Sequence, residues 1–290
     1  MCWSSQSTRN ETRSPVSVKE NQELMATYPE LKQKSVLVTG AGRAIGLAVA
    51  RRFVKEGARV LLTDIAEGES SSVIELAQAS GTQAAFATLD VTSRDQVDAA
   101  ISHIVELFGR LDVMVCNAGI GEVAPLIEAT EESFDRQFAV NTKGCFLTAT
   151  AAARQMLQQG DGGRIIINAS GAGKTAPGKA TPLGLYAMSK HAVIGLTKQL
   201  GVELAGDGVL VNCVCGGIVD TPMWDLIDRE VTNRRGATQG SFKQAAVDSV
   251  PIGRIQTPDD MASAIVYLAS DDASYTAGQT LNCSGGLLPY

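Results

Sequence analysis

From Ser35 onward the chain alternates short, β-rich apolar runs with longer stretches of helical periodicity, and no other feature limits the fold as much. Ser35-Val36-Leu37-Val38-Thr39 is an apolar, β-branched run that ends at glycine. Residues 44–56 then carry Ile45, Val49, Phe53 and Val54 at helical spacing, with Gly57 as a stop. The rhythm repeats. Strands are predicted at 58–63, 84–88, 111–116, 163–168, 209–214 and 279–283. Helices are predicted at 68–79, 93–108, 131–158, 184–205 and 258–269, with a longer irregular or helical stretch at 221–250. Strands that are apolar throughout, rather than alternating, imply burial on both faces. Strand–helix repetition implies right-handed crossovers, and so an α/β domain with a doubly wound parallel sheet. No composition break divides the run, so residues 33–290 read as one domain. Residues 1–32, which mix both charge signs and lack an apolar stretch, read as a flexible N-terminal tail.

Composition narrows the partners. The 290 residues carry a formal net charge of -6 and no basic block, so nucleic acid is not an expected partner. No apolar run approaches the roughly 20 residues needed to cross a bilayer, and the N-terminus lacks the apolar core of a secretory signal. These features predict a cytoplasmic protein with no membrane partner. The six cysteines match no zinc spacing and read as reduced, buried residues. With only two histidines, His103 and His191, a histidine-rich metal site is excluded and no metal is expected. A Ser-His-Asp hydrolase would have to use one of these two, and neither stands at a predicted strand end.

In a doubly wound sheet the ligand lies at the carboxyl ends of the strands. After the first strand comes Gly40-Ala41-Gly42-Arg43-Ala44-Ile45-Gly46, opening a helix. Such a turn lets backbone N–H groups approach a pyrophosphate at the helix N-terminus, although the motif alone is equally a tight turn. Asp64 ends the second strand, 18 residues after Gly46, with Ile65 beside it. A carboxylate there accepts ribose hydroxyls and repels a 2′-phosphate, or else caps a helix. Arg43 pulls the other way, but the charge of Asp64 stands where the phosphate would go, which favours NAD over NADP. Asp90-Val91 follows the third strand, where the acid can bond an adenine edge. Asn117-Ala118-Gly119 follows the fourth, where small residues permit close packing on a flat ring.

Tyr186 and Lys190 are spaced i and i+4 and share a helical face, as a catalytic pair or as a plain surface pair. A phenol is a poor acid–base catalyst at neutral pH unless an ammonium stabilises its phenolate. Ser170, just beyond the fifth strand, can hold a substrate oxygen beside Tyr186. Asn141 lies mid-helix, where its amide either holds a water leading from Lys190 to solvent or caps a carbonyl at a kink.

Together these motifs resemble the short-chain dehydrogenase/reductase family, over about residues 33–286. The resemblance implies a Rossmann-type fold and a catalytic group of Asn141, Ser170, Tyr186 and Lys190. It implies that Ile218 and Thr221 hold the nicotinamide carboxamide and that the chain forms a homotetramer or homodimer. It implies hydride transfer between NAD(H) and a small secondary alcohol or ketone. The run Gly217 to Asp225 is similar to the polyol and acetoin/butanediol dehydrogenases. The alternatives are an NADPH-dependent 3-oxoacyl-type reductase and a catalytically weak NAD-binding regulator. Three positions depart from the family pattern. Ala44 replaces a glycine of the turn, which crowds the pyrophosphate. Gly216-Gly217 replaces Pro-Gly, which predicts a looser loop around Thr221. The Ser170–Tyr186 interval is longer than usual and adds Lys174 and Lys179, read as solvated loop charges. Residues 221–250, with Trp224, Ile227 and Phe242, are expected to form a lid.

Overall fold

The computed structural model describes residues 27–178 and 180–290. Seven strands form one parallel sheet: β1 (Ser35–Thr39), β2 (Arg59–Asp64), β3 (Ala84–Thr88), β4 (Val113–Cys116), β5 (Gly163–Asn168), β6 (Val209–Gly216) and β7 (Thr280–Cys283). Their order is β3-β2-β1-β4-β5-β6-β7, so the winding reverses between β1 and β4. The helices are α1 (Ala44–Lys55), α2 (Ser70–Ala79), α3 (Arg94–Phe108), α4 (Glu131–Phe138), α5 (Cys145–Gln159), α6 (Gly184–Leu204), α7 (Pro222–Arg235), α8 (Ser241–Asp248) and α9 (Pro258–Ala269).

Side chains alternate across a strand, and here both alternating sets are apolar. Leu37, Leu61, Met114, Ile165 and Val211 face α3, α5 and α6, whose Ile104, Ala152 and Val193 complete that half of the core. Val38, Val60, Val115, Ile166 and Val214 face the other way, onto Val49 and Phe53 of α1, Val73 of α2 and Ile265 of α9. Cys116, Cys145, Cys213 and Cys215 are free and buried in the first half.

The predicted 131–158 helix is interrupted. A π-helical turn, Ala139–Gly144, separates α4 from α5 and contains Asn141. The 221–250 stretch resolves into α7 and α8, joined through Gly236 and Gly240 at φ of 61° and 89°. Asp228 on α7 explains how α8 starts without a capping side chain of its own. Its buried carboxylate accepts from the main-chain N–H of Gly240 at 2.6 Å and of Lys243 at 2.8 Å. This satisfies donors that a helix N-terminus otherwise leaves unmet.

Residues 1–26 lie outside the described residues, but Pro29–Leu31 form a 3-10 turn on the body. The main-chain N–H of Tyr28 donates to Glu56 Oε2 at 2.8 Å, and Leu31 is 2% exposed against the α1 face of the core. One buried leucine in a three-residue turn has no periodicity for sequence reading to detect. Leu31→Ala is expected to cost about 2–4 kcal/mol, as for other buried leucines. Urea unfolding would measure this, and a loss below about 0.5 kcal/mol, the level of a surface change, would return this segment to the tail.

Candidate active site

The reversal of winding between β1 and β4 opens a crevice at the carboxyl edge of the sheet. A cavity of about 890 Å³ occupies it. Every site residue expected from sequence lines this cavity except Asn141. Those from β1 to β4 come from successive strand ends, and Ser170, Ile218 and Thr221 come from the loops after β5 and β6.

The glycine turn is tightly packed. Gly40 has a φ of 64°, and a Cβ there would lie 2.8 Å from Ala118 Cα. A Cβ on Gly46 would strike the Gly40 carbonyl and lie 2.6 Å from Asn117 Nδ2. Ala44, where the family pattern has glycine, has a φ of 48°, a left-handed conformation costing a non-glycine residue about 1–2 kcal/mol. The Asp64 carboxylate accepts from the main-chain N–H of Gly42 at 3.0 Å and of Ile65 at 2.7 Å, which fixes it beside the turn. Arg43 is exposed on the same rim, with Ile45 behind it. Asp90 Oδ1 accepts from both the N–H and the hydroxyl of Thr92, so that carboxylate also shapes its own turn. Val91 packs on the helix beyond, where a Cβ on Gly144 would lie 2.6 Å from its methyl group.

Asn117 does not simply line the cavity; its amide joins three strand ends. Nδ2 donates to the carbonyls of Thr39 and Gly40, both at 2.9 Å, and Oδ1 accepts from Asn168 Nδ2 at 2.8 Å. Thr39 Oγ1 in turn accepts from the N–H groups of Asn117 and Ala118. Asn168, read from sequence only as the end of a strand, presents its carbonyl to Lys190 Nζ at 2.7 Å. Lys190 is 5% exposed, and its ammonium lies 5.6 Å from the Tyr186 ring centroid. A burial this deep requires a partner, and the Asn168 carbonyl supplies it.

Asn141 stands in the π-helical interruption and bonds a main-chain carbonyl from there. Its Oδ1 accepts from the Ile120 N–H at 2.8 Å, while Nδ2 donates to the Ile120 carbonyl at 2.9 Å and to Ser189 Oγ at 3.0 Å. Both amide hydrogens are therefore engaged with protein. Ser189 passes the link on, donating to the Tyr186 carbonyl at 2.8 Å. The π turn thus holds the segment after Gly119 against the first turn of α6. Neither Ser189 nor Asn168 carried a sequence signal, because each acts through a contact across elements.

Ser170 caps the 3-10 turn Gly171–Gly173; its Oγ accepts from the Ala172 N–H at 3.2 Å and keeps the hydroxyl proton to donate. The Gly216-Gly217 loop is clamped rather than loose. The Gly217 N–H donates to Gln256 Oε1 at 2.9 Å, and Gln256 main-chain groups bond Ile218 and Asp220. A Cβ on Gly217 would lie 3.1 Å from Ser284 Cα. Thr221 follows as the N-cap of α7. Lys174 is half-buried, and its Nζ donates to the Thr280 carbonyl at 2.7 Å. Lys179 lies outside the described residues. Burial works against the charge of Lys243, but its bonds to Asp220 at 2.7 Å and Asp225 at 2.8 Å outweigh it and raise its pKa. Among the described residues no His, Cys, Asp or Glu cluster is placed to hold a metal, and no helix is long and apolar enough to cross a membrane.

Two substitutions test this geometry. Ala44→Gly should relieve the left-handed strain and stabilise the chain by about 0.5–1 kcal/mol, after the greater unfolded-state freedom of glycine is subtracted. A lower melting temperature for this variant would contradict the strain. Asn117→Ala should cost about 2–3 kcal/mol, because it leaves buried partners of the lost amide unmet. An unchanged denaturation midpoint would remove Asn117 from the centre of the site.

Similarity to known proteins agrees with this architecture. Residues 40–288 match the family described as Enoyl-(Acyl carrier protein) reductase. Galactitol 2-dehydrogenase of Agrobacterium fabrum is 39% identical over 256 residues, which covers 88% of this chain and 98% of the relative. A protein of Armillaria gallica named as a short-chain dehydrogenase/reductase is also 39% identical, over 91% of this chain and 99% of its own length. The crystal structure of an NAD+-bound xylitol dehydrogenase superposes with a TM-score of 0.82 at 30% identity, covering 89% of this chain and 100% of that one. The glycine turn, the Asn117 junction and the Tyr186–Lys190 pair therefore stand in a chain that belongs to the short-chain dehydrogenase/reductase family.

Proposed function

We propose that this chain is an NAD(H)-dependent oxidoreductase that interconverts a secondary alcohol and a ketone, with Tyr186 as the acid–base group. The observation that carries this reading is the placement of Lys190. Its ammonium is buried, bound to the Asn168 carbonyl and set 5.6 Å from the Tyr186 ring centroid, which places a cation beside the proposed acid–base group. The dehydrogenase names of the relatives support the reaction class.

The residues present fit a nicotinamide dinucleotide. Gly40 and Gly46 pack on Ala118 and Asn117 too closely for a Cβ, and both line the cavity at the N-terminus of α1, where a pyrophosphate would be held. Asp64 is fixed beside that turn and suits a free ribose diol better than a 2′-phosphate. Arg43 lines the same cavity and favours the phosphate, which keeps an NADPH-dependent reductase as the second reading. When bound, the nicotinamide supplies or accepts the hydride. The protein does the rest. The Ser170 hydroxyl donates to the substrate oxygen, and Tyr186 delivers the proton to that oxygen in reduction and removes it in oxidation. Lys190 stands beside the Tyr186 ring, and Asn141 positions the Tyr186 segment through Ser189. Ile218 and Thr221, held by Gln256 and at the head of α7, are placed for the carboxamide edge. A homotetrameric or homodimeric cytoplasmic enzyme completes the proposal. Half-exposed Phe134 on α4 and Phe146 on α5 offer apolar surface for subunit contact.

Tyr186→Phe should keep NADH binding, followed by fluorescence, and lose about 10²–10⁴-fold in kcat. Near-normal turnover in that variant would reject Tyr186 as the acid–base group. Asp64→Ser should shift the ratio of NAD to NADP efficiency toward NADP by about tenfold or more, through loss of a charge-assisted bond and a repulsion. Parallel assays with both cofactors read this out, and an unmoved ratio would transfer the choice to Arg43.

A further inference from the structure

The walls of the cavity are divided by chemistry. Among the described residues, its charged side chains are Arg43, Asp64, Asp90 and Lys190. The first three stand at the ends of β1 to β3, where the dinucleotide would lie, and Lys190 is occupied by Asn168. The part around Tyr186 is apolar. Trp224 and Phe242 stack with centroids 6.4 Å apart and pack with Met223 and Tyr186 over Leu183 and Ile227.

The C-terminal segment adds a second wall. Leu288 is anchored at both main-chain groups: its N–H donates to Ser284 Oγ at 3.0 Å, and its carbonyl accepts from Asn282 Nδ2 at 2.9 Å. Its side chain lies on Gly171, next to Ser170, where a Cβ would come within 2.5 Å of Leu288 Cδ1. The hydroxyls that line the cavity here are largely turned to the protein. Thr175 donates to the Gly171 carbonyl, Thr221 to Val219 and Ser249 to Ala246. Of the charges on α7 and α8, Lys243 pairs with Asp220 and Asp225, Asp228 holds the start of α8, and Arg235, which does not line the cavity, lies 5.2 Å from the Phe242 ring centroid and donates to the Ala180 carbonyl.

From this division we propose that the substrate is an apolar ketone or alcohol, selected by a wall of Trp224, Phe242 and Leu288, and that a polyol is disfavoured. The proposal rests on the reading of Tyr186 as the acid–base group for a carbonyl. A polyol carries a hydroxyl on each carbon, and this wall supplies few donors or acceptors to replace the water those hydroxyls lose. An alkyl or aryl substituent is instead transferred from water onto the wall.

The test uses the full-length chain with NADH and NAD+. Its substrates are straight-chain methyl ketones from butanone to octanone, acetophenone, and sorbitol in the oxidative direction. The expected result is a rise in kcat/KM of about fourfold per added methylene until the wall is filled, with acetophenone above butanone and sorbitol below both. Trp224→Ser and Leu288→Asn should each lower the octanone-to-butanone ratio by about tenfold or more while NADH still binds. A flat ketone series, an unmoved ratio in both variants, or preference for sorbitol overturns the substrate class and leaves the proposed reaction standing. NADH binding with no turnover of any compound overturns both.

Discussion

One side-chain amide holds the site together. Asn117 stands where the winding of the sheet reverses, and strands that diverge there leave their carbonyl ends unpaired. Its amide bonds two carbonyls of the glycine turn and the side chain of Asn168. The carbonyl of Asn168 then anchors Lys190, which lies beside Tyr186. The glycine turn and the Tyr186–Lys190 pair are therefore mechanically one unit. The distance between them is set by the spacing of β1, β4 and β5, and not by any flexible loop.

The departures from the family pattern are each compensated by a contact far away in sequence. Ala44 retains a left-handed backbone because the turn around it is over-determined by Gly40, Gly46 and Asn117. Strain persists only where neighbours enforce it. At Gly216-Gly217 the missing proline is replaced by a hydrogen-bonded clamp from Gln256. Lys174 is drawn from its loop onto the Thr280 carbonyl, so the lengthened segment before Tyr186 is moored to β7. The α7–α8 segment follows the same logic. Asp228 supplies the missing cap of α8, and Lys243 joins that helix to the loop before α7.

What the sequence alone determined follows from periodicity and short motifs. Apolar runs of strand length separated by helical spacing gave seven parallel strands at their observed positions to within a few residues, because burial on both faces leaves a local pattern. The glycine turn, Asp64, Ser170 and Tyr186 with Lys190 were legible for a related reason: each is a residue type at a strand or helix end where backbone geometry and chemistry coincide. Tertiary structure alone decided the rest. It broke the long helix at Asn141, turned that amide onto Ile120 and Ser189, and made Asn117 and Asn168 a junction rather than a lining. It also seated Leu31 in the core and brought Leu288 against Gly171. These outcomes depend on partners tens to more than a hundred residues apart. A polar group chooses its partner from whatever burial places within reach, and that choice leaves no periodic trace along the chain.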